Sequence, residues 1–146
     1  MPTYYALLLP QHIRLKINDI RRTLFCKSGD SSFRAQESCI LLGETEDKAL
    51  SKKVTCPPLP LTVQCSTAFS DGTLFFPVLQ NELAQIREEL GVSHPYSGIY
   101  LGKVNVTHEE QLPPLNNLRL AIVEIKEEDG ITLWRTLSEK RLKKGR

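Results

Sequence analysis

The sequence predicts an α+β fold with internal pseudo-symmetry. Hydrophobic periodicity alternates between strand-like and helix-like stretches in the order β-α-β, then β-β-α-β, then β-β. Each half carries one long amphipathic segment and one strand ending in nearly the same phrase, Cys39-Ile40-Leu41-Leu42-Gly43-Glu44 and Gly98-Ile99-Tyr100-Leu101-Gly102-Lys103. The chain is 146 residues long and 40% hydrophobic, enough for one core, and no break in composition marks a second domain.

The elements follow in order. Residues 4–9 form an unbroken apolar run ending at Pro10, which predicts a buried strand. Ile13, Ile17, Ile20 and Leu24 then recur at helical spacing, with Arg14, Lys16, Arg21 and Arg22 between them, which predicts an amphipathic helix with its arginines in solvent. A Ser/Gly/Asp loop over residues 28–32 leads to a strand over 38–43, and a short helix is expected from about Thr45. The prolines at 57, 58 and 60 make a stiff connector that no helix crosses. Leu61, Val63, Cys65 and Thr67 alternate with polar residues as a strand does, and Ser70-Asp71-Gly72 turns the chain into a returning strand from Thr73. Leu79, Leu83, Ile86 and Leu90 mark a second amphipathic helix, stopped by Gly91. Strands are expected over residues 99–106, 118–126 and 131–137, the last two joined at Asp129-Gly130 and preceded by a proline-rich loop over 111–117.

Composition bounds the function classes. Net charge is +2, too small to argue by itself for a nucleic-acid partner. The domain is expected to span residues 1–139, with residues 140–146 a basic tail carrying Lys140, Arg141, Lys143, Lys144 and Arg146. Such a tail is a solvated terminus or an arm for a phosphate backbone. Cys26, Cys39, Cys56 and Cys65 form no Cys-x-x-Cys pair, so neither a zinc site nor any other metal or cofactor is expected. No signal peptide precedes the domain, and no apolar run reaches the about 18 residues needed to cross a bilayer, so a cytoplasmic protein with reduced thiols is expected (host cytoplasm, if viral). Asn105-Val106-Thr107 then fits the glycosylation pattern by chance.

The organisation resembles the 2H phosphoesterase superfamily, which includes bacterial RNA 2′-5′ ligase-like proteins and cyclic phosphodiesterases. Tyr4-Tyr5-Ala6-Leu7-Leu8-Leu9-Pro10 and the helix after it resemble the family's opening; Leu41-Leu42-Gly43-Glu44-Thr45-Glu46 resembles the segment after its first motif. The hairpin through Phe69 and Leu74-Phe75-Phe76-Pro77-Val78, the helix from Asn81, and the pair Val123-Glu124-Ile125 with Trp134-Arg135 resemble its middle and closing elements. The resemblance covers nearly the whole chain. It implies two lobes, antiparallel sheets with helices packed outside, and a central groove.

Family chemistry rests on two His-x-Thr/Ser motifs facing each other across that groove. One imidazole activates the attacking oxygen and the other protonates the leaving oxygen, while each hydroxyl, two residues on, binds phosphate. Both motifs are degenerate here. The second aligns with Gly98 in the histidine position and Tyr100 in the hydroxyl position. The first has two registers: Gln36-Glu37-Ser38, with Gln36 for histidine and Ser38 keeping the hydroxyl, or Ser38-Cys39-Ile40. Parity puts Gln36, Ser38 and Ile40 on one strand face in either case.

Only His12, His94 and His108 remain. His12 opens a helix and His108 sits beside Glu109 and Glu110, so both are expected in solvent. His94, ahead of Pro95-Tyr96-Ser97, is expected at the groove mouth. The leading reading is a protein whose groove binds a nucleotide, a cyclic oligonucleotide or an RNA end without two-histidine catalysis. Gln36, Ser38, Tyr96, Gly98 and Tyr100 then form the site, and glycine at 98 widens it. One alternative is a phosphodiesterase with rearranged groups, using His94 and Tyr100; the other is a module whose tail or surface binds RNA or a protein.

Overall fold

A computed structural model of the chain describes residues 2–28, 38–50, 54–55, 57, 60–102, 106–128 and 131–142. Gln36, Lys103, the turn at Asp129-Gly130 and the tail beyond residue 142 lie outside the described residues.

Strand and helix runs follow the sequence patterns in the expected order: β1 (Thr3–Leu8), α1 (Gln11–Ser28), β2 (Cys39–Thr45), β3 (Ala68–Ser70), β4 (Thr73–Pro77), α2 (Gln80–Leu90), β5 (Gly98–Gly102), β6 (Arg119–Glu128) and β7 (Ile131–Arg141). The strands form one seven-stranded sheet in the order β3-β4-β5-β2-β1-β6-β7, rather than separate sheets. Every pairing is antiparallel.

Side-chain alternation divides the sheet's two faces. Leu7, Ile40, Leu42, Ile99, Leu101 and Ile122 point to one face, where they form the main core with Ile13, Ile17, Ile20 and Leu24 of α1 and Leu83, Ile86 and Leu90 of α2. Both helices therefore lie on the same side. The other face carries a smaller apolar cluster, Ala6, Leu8, Cys39, Leu41, Ala121 and Val123, with Tyr4 and Trp134 against it.

Three local expectations fail for identifiable reasons. No helix follows Thr45 among residues 46–50. Instead Thr45 Oγ1 accepts the Asp47 N–H (3.1 Å) and Asp47 accepts the Tyr5 hydroxyl, a side-chain turn that outcompetes a helical start. The period-two burial holds only over residues 61–64, since Cys65 is exposed like Gln64 and Ser66, and no ladder forms, because Leu61, Val63 and Ser66 bridge three different partners: Leu115, Val78 and Glu109. The final strand runs on through Lys140 and Arg141, so the basic tail begins inside the sheet.

The hairpin and helix stops match their residues. Asp71 (φ 52°) and Gly72 (φ 80°) both take the left-handed conformation that a tight two-residue β-turn requires. Gly91 (φ 70°) ends α2: its N–H meets the Glu88 carbonyl and the Val92 N–H meets the Arg87 carbonyl, at 3.1 and 3.0 Å. That cap throws residues 92–97 across β2.

Candidate functional site on the helix-free face

Ile40 and Ile99 are direct Cα partners where β2 meets β5, and both side chains enter the helix-side core. Tyr100, one residue on, must therefore face the opposite way. It does: its ring lies 5.0 Å from Trp134 of β7, on the helix-free face. Phe75, the register partner of Tyr100, stacks on Tyr96 (4.3 Å between centroids, 20° between planes). His94 meets Tyr96 edge-on at 4.6 Å and Tyr4 at 6.3 Å. Phe75 and Tyr100 are buried, whereas Tyr4, His94, Tyr96 and Trp134 remain half-buried at the rim.

Residues 92–97 approach β2 closely because Gly43 has no side chain; a Cβ there would lie 2.5 Å from Val92 Cβ and 2.7 Å from the Ser93 carbonyl oxygen. Arg87 of α2, only 7% exposed, ties this segment down. Its Nε donates to the Leu42 carbonyl (3.0 Å), Nη2 to the carbonyls of Leu41 and Tyr96 (2.9 and 3.0 Å), and Nη1 to Ser97 Oγ (2.5 Å). Arg21 of α1, 1% exposed, works from the other helix: Nε donates to the Leu101 carbonyl of β5 at 3.0 Å. The two guanidiniums thus meet main-chain carbonyls beside the single β2–β5 register pair. This corrects the expectation that Arg21 is solvated, and the reason is that buried carbonyls need donors.

Tyr4, His94 and Tyr96 are uncharged near neutral pH. Burial, and then the Arg87 charge, push the His94 pKa down to about 4. Burial raises the Tyr96 hydroxyl far above its ordinary value, and burial with Glu44 raises Tyr4. His94 Nε2 and Trp134 Nε1 are both buried without a hydrogen-bond partner among the described residues, an uncommon state for such atoms.

The expected site is therefore only partly assembled. His94, Tyr96, Gly98 and Tyr100 gather on the helix-free face. Ser38 does not: it is 4% exposed on the helix side, where its Oγ is 3.5 Å from Arg21 Nη1, so it cannot face Tyr100. Nor does Gly98 widen the face. A Cβ at 98 would lie 2.3 Å from the Phe76 carbonyl oxygen and 2.6 Å from the Phe75 ring, so β4 already fills the space. His12 is exposed, but His108 is half-buried, edge-on to Phe76 and 3.2 Å from Glu110. Tyr4, Phe75, Arg87 and Trp134 were not anticipated. The two arginines carried a signal: Ile17-x-x-Ile20-Arg21-x-x-Leu24 and Leu83-x-x-Ile86-Arg87-x-x-Leu90 place each at i+4 and i−3 from apolar residues.

Among the described residues no group of three or more His, Cys, Asp or Glu side chains is placed to hold a metal ion, and no helix is long and apolar enough to cross a membrane. No protein-family model and no curated protein matches the chain. Solved structures do. E. coli LigT in its apo form is similar with a TM-score of 0.63 at 18% identity, covering 96% of each chain. LigT complexed with 3′-AMP gives 0.62 at 18% identity, covering 97% of this chain and 98% of LigT. TT0787 of Thermus thermophilus gives 0.63 at 11% identity over 100% of both chains. LigT has also been crystallised with phosphate and with ATP. At these identities the likeness is one of fold: the chain shares the fold of LigT and TT0787, in line with the resemblance that its sequence carries.

Proposed function

We propose that the helix-free face binds a nucleotide, free or as part of a cyclic oligonucleotide or RNA end, and does not hydrolyse it by two-histidine catalysis. The observation that carries this reading is the half-buried aromatic cluster with its two unpartnered ring nitrogens, His94 Nε2 and Trp134 Nε1. Half-buried rings offer a stacking surface worth about 1–3 kcal/mol per base. The two ring nitrogens offer hydrogen bonds to a base or sugar edge. The crystallisation of LigT with 3′-AMP and ATP supports a nucleotide as the ligand class. With Gly98 and Tyr100 in the second motif and His94 held neutral, no pair of imidazoles is available to exchange protons near pH 7.

Trp134 is the only tryptophan, so its fluorescence reports on the face directly. Titration with 3′-AMP, ATP and 2′,3′-cyclic AMP should change that fluorescence saturably and raise the melting temperature. Chromatography of the same mixtures should show unchanged ligand. Absence of both fluorescence change and stabilisation at saturating concentrations would sink the reading; product formation lost on His94→Ala would replace it with the phosphodiesterase alternative.

A further inference from the structure

The rim of the aromatic face carries a carboxylate. Glu44 is the Cα partner of Tyr4 across β1 and β2, so it shares that face, and it is exposed. Among the described residues, the side chains charged near neutral pH that act on Tyr4, His94 and Tyr96 are Glu44 and Arg87. Arg87 is buried, and its four hydrogen bonds go to the carbonyls of Leu41, Leu42 and Tyr96 and to Ser97 Oγ. Arg135 follows Trp134 in β7, but strand alternation turns it to the other face of the sheet, where Glu124 holds it at 3.0 Å. His94 stays neutral near neutral pH and adds no charge. Behind the rings the floor is apolar, formed by Ala6, Leu41, Ala121 and Val123.

We infer that the aromatic face holds the base of its ligand and leaves the phosphate in solvent, which rests on the nucleotide reading of the same face. A flat, uncharged heterocycle matches half-buried rings, because every base has a face that stacks. Trp134 Nε1 donates, and the neutral His94 Nε2 donates or accepts according to its tautomer, while base edges carry both kinds of partner. A phosphate is poorly matched here. Among the described residues it meets no guanidinium with donors to spare, and it faces the Glu44 carboxylate. Its lost hydration is not replaced by the apolar floor. The ligand class is therefore a nucleoside, or a nucleotide whose sugar-phosphate points away from the rings.

The test pairs each common ribonucleoside with its own 3′-monophosphate, read by Trp134 fluorescence and melting temperature on the full chain. For the base that binds, the nucleoside should match its monophosphate within about threefold in Kd. Monophosphate affinity should change less than about twofold between low and physiological salt, because no charge pair is there to screen. Inorganic phosphate should not displace a bound nucleoside. Trp134→Ala, followed by calorimetry, should weaken both members of a pair by the same factor, about tenfold, since the ring holds the part they share. A monophosphate tighter than its nucleoside by more than about threefold overturns the inference and leaves the nucleotide reading standing, as does displacement of the nucleoside by phosphate. A Trp134→Ala loss confined to the monophosphate does the same. Silence of nucleosides and monophosphates alike overturns both.

Discussion

Restoring a side chain at Gly98 should damage the fold instead of restoring catalysis. In Gly98→Ala the new Cβ would sit 2.3 Å from the Phe76 carbonyl oxygen, where ordinary contact begins at 3.4 Å. Backbone, not a flexible side-chain tip, must give way, and Phe76 is paired in the ladder with Ile99. Overpacking costs about 1–3 kcal/mol, and a backbone obstacle puts this case at the upper end. Unfolding entropy for 146 residues is about 0.3 kcal/mol/K, so 3 kcal/mol corresponds to a fall of about 10 °C in Tm. Differential scanning fluorimetry of Gly98→Ala and Gly98→His measures it, and chromatography with 2′,3′-cyclic nucleotides measures turnover. A Gly98→Ala protein melting within about 2 °C of the parent would refute the steric reasoning. So would a folded Gly98→His, Gln36→His double variant that opens the cyclic phosphate.

Arg87→Met should lower stability by about 3 kcal/mol in urea unfolding, because the carbonyls of Leu41, Leu42 and Tyr96 lose their donor. Unchanged unfolding would mean water replaces the guanidinium at no cost. His94 titrates near 4 when folded against about 6.5 when unfolded. Between those values the unfolded chain holds the proton that the folded chain refuses, so stability should drop as pH falls from 6.5 to 4 and stay flat, for this group, above 6.5. His94→Gln should flatten that drop, which urea midpoints at pH 4.5 and 7 can check. Trp134→Ala should weaken nucleotide binding by about 1–3 kcal/mol in calorimetry; affinity unaltered by losing the ring would remove stacking from the proposal.

Much of the fold was legible because its signals are local. The apolar run before Pro10, the three- and four-residue spacing of Leu83, Ile86 and Leu90, Gly91 as stop and Asp71-Gly72 as turn all act within a few residues. The site was less legible because its geometry is set between strands. The parity of Ser38 with Ile40 was readable, but which face Tyr100 shares with it depends on the Ile40–Ile99 pairing, a contact across 59 positions. The filled space at Gly98 depends on the Phe75–Tyr100 register in the same way. A glycine in sequence does not distinguish an empty pocket from one already occupied.

The placement of Arg21 and Arg87 bears on how the chain folds. Each helix carries the donor that the other half's strand requires: α1 serves Leu101 of β5, and α2 serves Leu41 and Leu42 of β2. A fragment ending near residue 60 would deprive Arg21 Nε of the Leu101 carbonyl and leave the β2 carbonyls without the Arg87 donor. The complementary fragment would suffer the converse. Neither half should therefore be an autonomous folding unit, while the two co-expressed should recover structure by complementation. Repeated sequence patterns often suggest a duplicated module; here the reciprocal dependence predicts that the pair unfolds as one cooperative unit.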